Sequence, residues 1–320
     1  MNKRFLAIAI AASLAAPLTV MAEGAEIYGL AHVGVTQNSG DDSTDNVTVD
    51  SGNSRIGIKG SEDLGGGMKA VYKMEWQVDL PSGSVANMTA RNQFVGLSGG
   101  MGTVLLGTHD TAVKMVQGKF DMFVDGIADM NRNGMIDGDL RSGNVIGYFS
   151  PKMGGMQMVA MLIPGEENGN VAANENTGIA DGYSVSFVYE AGPVYVGLGV
   201  EGGDLINDQT RLVATYNMDA LTVGFLYNVT DTQASTTDED ENGLGVNAAY
   251  AFGDNAVKFQ YLDVSDNIGG ATTGATRIDE TTMTLGYDMN LSARTTAFAL
   301  YRAFSEADIT NIGVGIKHSF

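Results

Sequence analysis

The sequence predicts an all-β fold, a 16-stranded antiparallel transmembrane β-barrel, and three observations favour that fold class. Short segments alternate apolar and polar side chains with a period of two. Tight turns and long polar loops follow one another along the chain. The composition includes 43 glycines, 5 prolines and no cysteine, and beyond the first residues no apolar run is long enough for a transmembrane helix.

The amino terminus predicts a secretory signal. Two basic residues precede the apolar run 5–21, and the small residue Ala22 follows it. We therefore expect a signal peptide at 1–22 and a mature barrel at 23–320. A retained membrane anchor is the alternative, although the run is at the short limit for spanning a bilayer. Without the two basic residues of the signal the net charge changes from −20 to −22, which excludes nucleic acid as a partner because phosphates need basic contacts.

Period-two alternation defines the strands in order. The clearest case is the stretch 68–77, where Met68 and Tyr72 share one face while Lys73 and Glu75 share the other. Sixteen segments show this pattern, at 26–37, 52–62, 66–79, 90–99, 102–108, 143–150, 155–163, 182–191, 193–201, 208–217, 220–230, 242–252, 254–264, 277–288, 291–303 and 308–320. An even count of strands is typical of bacterial outer-membrane barrels.

The connections are of two kinds. Tight turns are predicted at 63–65, 99–101, 191–193, 217–219, 253–254 and 288–290, and long loops at 39–51, 80–89, 109–142, 164–181, 231–241 and 265–276. Turns toward the periplasm and long external loops are typical of a transmembrane barrel. We expect 109–142, the third long loop, to fold into the lumen. A soluble β-sandwich is the alternative, but sixteen long strands are too many for that arrangement.

Four motifs resemble the general porins of Gram-negative outer membranes, which are trimeric 16-stranded channels for small hydrophilic solutes. They are SRIGIKGSEDLGGGMKA at 54–70, RNQFVGL at 91–97 followed by GTV at 102–104, RSGNVIGYFSP at 141–151, and GIKHSF at 315–320. The sequence departs from the family at Leu30 and Thr108, where basic residues are common. One corner of the family's basic wall is therefore expected to be missing.

Candidate pore residues come from alternation and from this resemblance. Arg55 and Lys59 lie opposite the apolar face of their strand, and Arg141 lies opposite that of its own, so we expect them in the lumen. The resemblance alone adds Arg91. It also implies that the basic wall faces acids on the third loop, which are Asp121 and Asp125 in this chain. Opposed rows of this kind produce a transverse field at a pore constriction.

The resemblance also implies partners. The last strand ends on Phe320, an aromatic carboxy terminus that resembles the address read by the barrel-assembly machinery. A homotrimer is expected, since Ala31, Val33, Phe94 and Gly96 are predicted to offer small or apolar outward surface. The other expected partners are outer-membrane lipid, lipopolysaccharide, and small hydrophilic solutes and ions.

No catalytic or obligatory cofactor site is predicted, because the three histidines lie on separate segments without ligand-like spacing. The motif GLGVEG at 197–202 matches a dinucleotide-binding pattern but opens no helix. In the third loop, Asp129, Asn131, Asn133 and Asp137 have the spacing of an EF-hand start, although Leu140 replaces the usual glutamate. A structural calcium ion or a solvated acidic turn are the two interpretations.

The predicted function is passive diffusion through a weakly cation-selective pore in the outer membrane. The acidic mature chain and the aspartates of the third loop favour cations, whereas the wall arginines favour anions locally. The alternatives are a solute-specific channel of the same fold, a barrel acting mainly as a surface adhesin, and a barrel-shaped enzyme.

Overall fold

The alternating segments form strands that close into one antiparallel sheet in a computed structural model of the chain. The structure describes residues 24–40, 45–84, 86–132, 136, 138–165, 178–231, 240–267 and 278–320. The strands are β1 (Gly24–Ser39), β2 (Asn46–Ser51), β3 (Arg55–Gly65), β4 (Met68–Val78), β5 (Met88–Gly99), β6 (Gly102–Asp110), β7 (Arg141–Phe149), β8 (Met156–Ile163), β9 (Gly182–Ala191), β10 (Val194–Gly203), β11 (Asp208–Met218), β12 (Leu221–Asp231), β13 (Glu241–Phe252), β14 (Asn255–Asn267), β15 (Ile278–Asn290), β16 (Thr295–Phe304) and β17 (Thr310–Ser319), and one helix, α1 (Ala112–Gln117), follows β6.

Seventeen hydrogen-bonded segments make sixteen barrel strands. Both β2 and β3 pair with β1, with Ser51 opposite Val33 and Arg55 opposite Leu30, so they form one strand interrupted at 52–54. On its other edge β1 pairs with β17, which closes the barrel. The predicted 16-stranded antiparallel barrel is confirmed. A closed barrel leaves no unpaired strand edge in lipid.

Two boundaries differ from the prediction. β2 lies in the stretch 39–51 predicted as loop, because its alternating residues continue the pairing with β1 beyond the interruption. The strand predicted from residue 291 starts at Thr295, because the Leu291 amide donates to the Thr295 carbonyl over 2.8 Å and the chain turns between these two residues. The predicted signal peptide, 1–22, lies outside the described residues.

Apolar side chains cover the outer face, as the alternation predicts. Phe187, Leu285 and Val314 are half-exposed there, which suits contact with lipid chains. At one rim Tyr250 stacks with Phe252 at 6.2 Å between ring centroids, typical of the aromatic girdle of a membrane barrel. Phe94 does not lie on this face as predicted, because it packs inward in a buried cluster with Leu105.

The core lies inside the barrel. The chain between β6 and β7, residues 111–140, is called loop 3 here, and α1 packs against the inner faces of β8 to β11. The inner faces of β10 to β17 are called the far wall here. Buried residues of loop 3 join inward side chains of the far wall in one apolar cluster, which contains Val116, Phe120, Met130, Ile136, Tyr195, Val213, Leu226, Leu262, Val264 and Phe304. Loop 3 is therefore held against β10 to β16 by apolar burial.

Within the described part of the chain, no helix has the length and apolar character needed to cross a membrane.

Candidate channel constriction

The inner faces of β3 to β7 carry ionic side chains, and this surface is called the charged wall. Arg55 on β3 forms an ion pair with Asp125 of loop 3, with 2.9 Å between Nη1 and Oδ1. Lys59, four residues further along the same face of β3, forms an ion pair with Glu26 at 3.4 Å. Both basic residues point inward, because Ile56 between them is exposed on the outer face.

Glu75 on β4 is the centre of the next ionic group. Its carboxylate lies 3.1 Å from the Lys73 ammonium and 2.8 Å from Nε of Arg91, and it accepts a hydrogen bond from the Tyr28 hydroxyl at 2.7 Å. Gln77 accepts a further bond from Arg91. Two cations therefore share one buried carboxylate.

Asp110, at the end of β6, is the centre of a third group. Its side chain is fully buried and lies 2.8 Å from Arg141 and 3.0 Å from Lys114 of α1. Asn92 donates to its second oxygen at 2.8 Å, and Lys114 also reaches Asp139 at 2.7 Å. The start of loop 3 is thus fixed to the charged wall by a buried ionic network.

All four predicted basic residues consequently lie within 3.4 Å of a carboxylate. Sequence reasoning missed three of the acids, Glu26, Glu75 and Asp110. Glu75 was recognisable from its place on the polar face of β4 beside Lys73. Asp110 gave no such signal, because its partner Arg141 lies beyond loop 3 in the sequence and reaches it only through the pairing of β6 with β7.

Asp125 lies at the point where loop 3 touches the interruption between β2 and β3. Its backbone is left-handed, with φ of 68°, and its carbonyl accepts a hydrogen bond from the Asn53 amide at 2.9 Å. Burial opposes ionisation, but Arg55 holds the pKa of the Asp125 carboxyl below its usual value. The structure therefore brings together Arg55 and Asp125, the two residues predicted to face each other across the pore, in direct contact.

Asp121 is placed differently from its predicted position in a lumen-facing acid row. It is fully buried, and its two oxygens accept hydrogen bonds from the amides of Phe123 at 2.8 Å and Met130 at 3.1 Å. Burial, followed by the charge of Asp129, raises the pKa of Asp121 well above its usual value. Asp121 therefore shapes loop 3 from inside, because a fully buried carboxyl cannot meet passing ions.

Asp129 has a similar role. Its oxygens accept hydrogen bonds from the amides of Asp125 at 2.9 Å and Asn131 at 3.0 Å. Burial raises the pKa of the Asp129 carboxyl to about 6. Of the other predicted calcium ligands, Asn133 and Asp137 lie outside the described residues. Among the residues that are described, no three His, Cys, Asp or Glu side chains are grouped to hold a metal ion.

Side chains of the far wall hold loop 3 by donating hydrogen bonds to its main-chain carbonyls. Lys258 on β14 donates to the Met122 carbonyl at 3.0 Å, Arg302 on β16 donates to that of Ile127 at 3.0 Å, and Asn247 on β13 donates to that of Phe120. Sequence reasoning missed these three donors, because main-chain acceptors leave no pattern in a sequence. Together they fix the side of loop 3 that faces away from the charged wall.

The comparisons with known proteins agree with this architecture. The family model described as Gram-negative porin matches residues 7–308. The chain belongs to the Gram-negative porin family. This porin is 27% identical to Outer membrane porin protein 32 of Delftia acidovorans, over 99% of its own length and 93% of that protein.

Two solved structures show the same fold. The anion-selective porin from Comamonas acidovorans superposes with a TM-score of 0.77 at 24% identity, covering 93% of this porin and 99% of that chain. OmpT, an outer membrane protein of Vibrio cholerae in its trimer form, superposes with a TM-score of 0.68 at 16% identity, covering 93% and 100%. The family predicted from the four motifs is confirmed, and this porin is a multi-pass channel protein of the outer membrane.

Proposed function

We propose that this porin passes small hydrophilic solutes and ions by passive diffusion and is weakly cation-selective. The observation that carries the proposal is the pairing of Arg55, Lys59, Arg91 and Arg141 with carboxylates on the charged wall. A paired cation attracts a passing anion far less than a free one, because the two fields largely cancel beyond the pair. The wall arginines therefore contribute little anion preference.

The net charge of the whole chain favours cations over anions. The mature net charge is −22 once the predicted signal is removed, and screening limits that field to about 10 Å at 0.1 M salt. Such a field enriches cations at the channel mouths at low salt and fades as salt rises. Weak, salt-dependent cation preference is the expected result.

Anion selectivity is the second candidate, and one observation favours it. Lys73 and Arg91 share the single carboxylate of Glu75, which leaves one positive charge in excess at that point of the wall. The similar structure from Comamonas acidovorans is described as anion-selective. A local excess of this kind matters most where the channel is narrow and poorly screened.

The deciding experiment is the zero-current potential of single channels in a planar bilayer under a KCl gradient. We expect a small zero-current potential whose sign indicates preferential cation flow. This potential should decrease as the mean salt concentration rises. The opposite sign would favour the second candidate and leave the channel function intact. No conductance at all would overturn the channel and favour an adhesin, and block that saturates with one solute would favour a solute-specific channel.

We also propose a homotrimer in contact with outer-membrane lipid and lipopolysaccharide. Support comes from the trimer form of the similar OmpT structure and from outward apolar residues such as Val95 on β5. Light scattering in mild native detergent should give three copies that dissociate on heating. A monomer under those conditions would contradict the trimer.

The carboxy terminus is proposed as the contact with the barrel-assembly machinery. The main chain of Phe320 pairs with Gly29 of β1 at 3.0 and 3.1 Å, and its ring is half-exposed. Deleting Phe320 should lower the amount of folded protein in the outer membrane, while refolding of the purified chain in detergent should change little. Equal loss in both assays would show a purely structural role.

We also propose that Asp129 and its neighbours in loop 3 bind a calcium ion. Elemental analysis of the purified protein tests this proposal. No calcium, together with conductance that a chelator leaves unchanged, would remove it.

A further inference from the structure

The inner wall beneath loop 3 has glycines at positions where a lumen-facing side chain is otherwise expected. At five of them an added methyl group would come within 3.0 Å of an apolar residue of loop 3, and this set is called the glycine track; it consists of Gly197, Gly199, Gly245, Gly286 and Gly313. All five are on inward-facing positions of β10, β13, β15 and β17. The track therefore follows loop 3 around the far wall.

On β10 the missing side chains make room for α1. A methyl group at Gly199 would lie 3.0 Å from Cα of Val113, and one at Gly197 would lie 2.8 Å from Cγ1 of Val116. Both distances are shorter than a normal carbon–carbon contact of about 3.5–4.0 Å. The first two glycines of the GLGVEG motif thus let the helix main chain pack directly on the strand, and they serve packing rather than phosphate binding.

Further round the wall, the glycines receive three apolar side chains of loop 3. A methyl group at Gly245 would lie 2.5 Å from the Phe120 ring, and one at Gly286 would lie 2.5 Å from the Phe123 ring. At Gly313 it would lie 2.7 Å from Cδ1 of Ile127. Each of these contacts is closer than packed atoms tolerate, so any larger residue must displace loop 3 or the strand.

The hydrogen-bond donors of the far wall alternate with the track. Asn247, Lys258 and Arg302 hold the carbonyls of residues 120, 122 and 127, next to the glycines that receive side chains 120, 123 and 127. The donors fix where loop 3 lies along the wall, whereas the glycines fix how deeply it lies against the wall. These are separate geometric variables, set by different residues.

We propose that the glycine track sets the cross-section of the channel by fixing the depth at which loop 3 packs against the wall. The inference rests on the proposed channel function. A strand of a closed barrel is hydrogen-bonded on both edges, which resists its outward displacement. Loop 3, in contrast, faces the lumen on the side away from the glycine track. Added volume on the track must therefore push loop 3 into the channel.

The test is single-channel conductance of Gly245→Ala, Gly286→Ala and Gly313→Ala at fixed salt. We expect conductance to fall in all three, most for the two variants that meet a phenyl ring and least for Gly313→Ala, which meets the end of an isoleucine side chain. Gly100→Ala is the matched control, because a methyl group there meets no atom within 4 Å. Its conductance should equal that of the unmodified porin.

A compensating change separates loop displacement from damage to the strand. Ile127→Val removes Cδ1, the atom that the new methyl group at Gly313 would meet. Gly313→Ala with Ile127→Val should therefore recover the original conductance, and Gly313→Ala alone should still fold, as heat-modifiable migration on a gel would show.

Three results would overturn the inference: unchanged conductance in the alanine variants, no recovery in the double variant, or failure of both Gly313 variants to fold. An unmodified porin without conductance would instead overturn the channel function on which the inference rests.

Discussion

The charged wall and the far wall are built from the same kind of strand, with inward side chains at every second position, yet they contact loop 3 with different kinds of residue. The first carries Arg55, Glu75, Arg91 and Asp110 in paired ionic groups. The second carries an apolar cluster and the glycine track. Loop 3 contacts both walls, through ion pairs on the charged wall and mainly through apolar side chains on the far wall, and the inward residues match these two kinds of contact.

The two walls also hold loop 3 in different ways. On the far wall the loop is attached by apolar burial and main-chain hydrogen bonds, as in the interior of a soluble protein. On the charged wall it is attached by ion pairs through Lys114 and Asp125. The far attachment should respond mainly to side-chain volume, and the near attachment to charge and pH.

The largest expected effect comes from removing volume on the far wall. Phe120→Ala leaves a cavity in the fully buried cluster and should lower the free energy of unfolding by about 3–5 kcal/mol. Urea titration in detergent measures this loss, and the channel current should become noisier because loop 3 is less well held. Phe187→Ala, on the outer face, is the control and should cost clearly less. Equal losses would contradict the core role of loop 3.

Next is the removal of a charge on the charged wall. Asp110→Asn leaves Lys114 without one of its two carboxylates and Arg141 without its ion pair. We expect a loss of about 2–3 kcal/mol in the free energy of unfolding, below the value for a dry interior because channel water can hydrate Arg141. The zero-current potential should also move toward anions, because the partly exposed Arg141 loses the carboxylate that offsets its charge. Glu62→Gln, on an exposed side chain, is the control, and a stability loss of the same size there would contradict the network.

A smaller effect distinguishes the two loop aspartates. Asp125→Asn removes the partner of Arg55 and should shift the zero-current potential toward anions, while Arg55→Ser should shift it toward cations. Asp121→Asn should leave the potential nearly unchanged, because its carboxyl is fully buried. An equal shift from Asp121→Asn and Asp125→Asn would place the constriction elsewhere on loop 3.

The smallest effect is on pH. The pKa of Asp129 is about 6 in the fold and about 3.9 in an unfolded chain, so its contribution to stability is present below pH 4 and is lost as pH rises through 6. Asp139, Asp125, Asp121 and Arg302 are the charged groups that act on it.

Loop 3 should therefore be held less firmly at pH 7.5 than at pH 5. Current noise recorded at the two values measures this, and Asp129→Asn should reduce the difference, while Asp121, whose pKa is also raised, keeps part of it. Noise that is unchanged between the two pH values in the unmodified porin would contradict the raised pKa.

Sequence reasoning predicted the part of the site that follows from alternation. Arg55, Lys59 and Arg141 were placed inward by counting from their apolar neighbours, and the structure puts each on the lumen side. Asp121 and Asp125 could not be told apart, because a loop has no period. Phe94 was misplaced because its strand alternates weakly, and the inward apolar cluster that receives it comes from β6, α1, β7 and β8.

The sequence by itself determined the barrel. Period-two alternation, an even strand number and the order of turns and loops follow from local rules that each segment obeys alone, because lipid contacts the outer face of every strand in the same way. The path of loop 3 was decided only by the tertiary structure. Its seat on the glycine track, its main-chain donors and the carboxylate beside each arginine join residues far apart in the chain. Their pairing depends on shape and distance, which a one-dimensional pattern does not record.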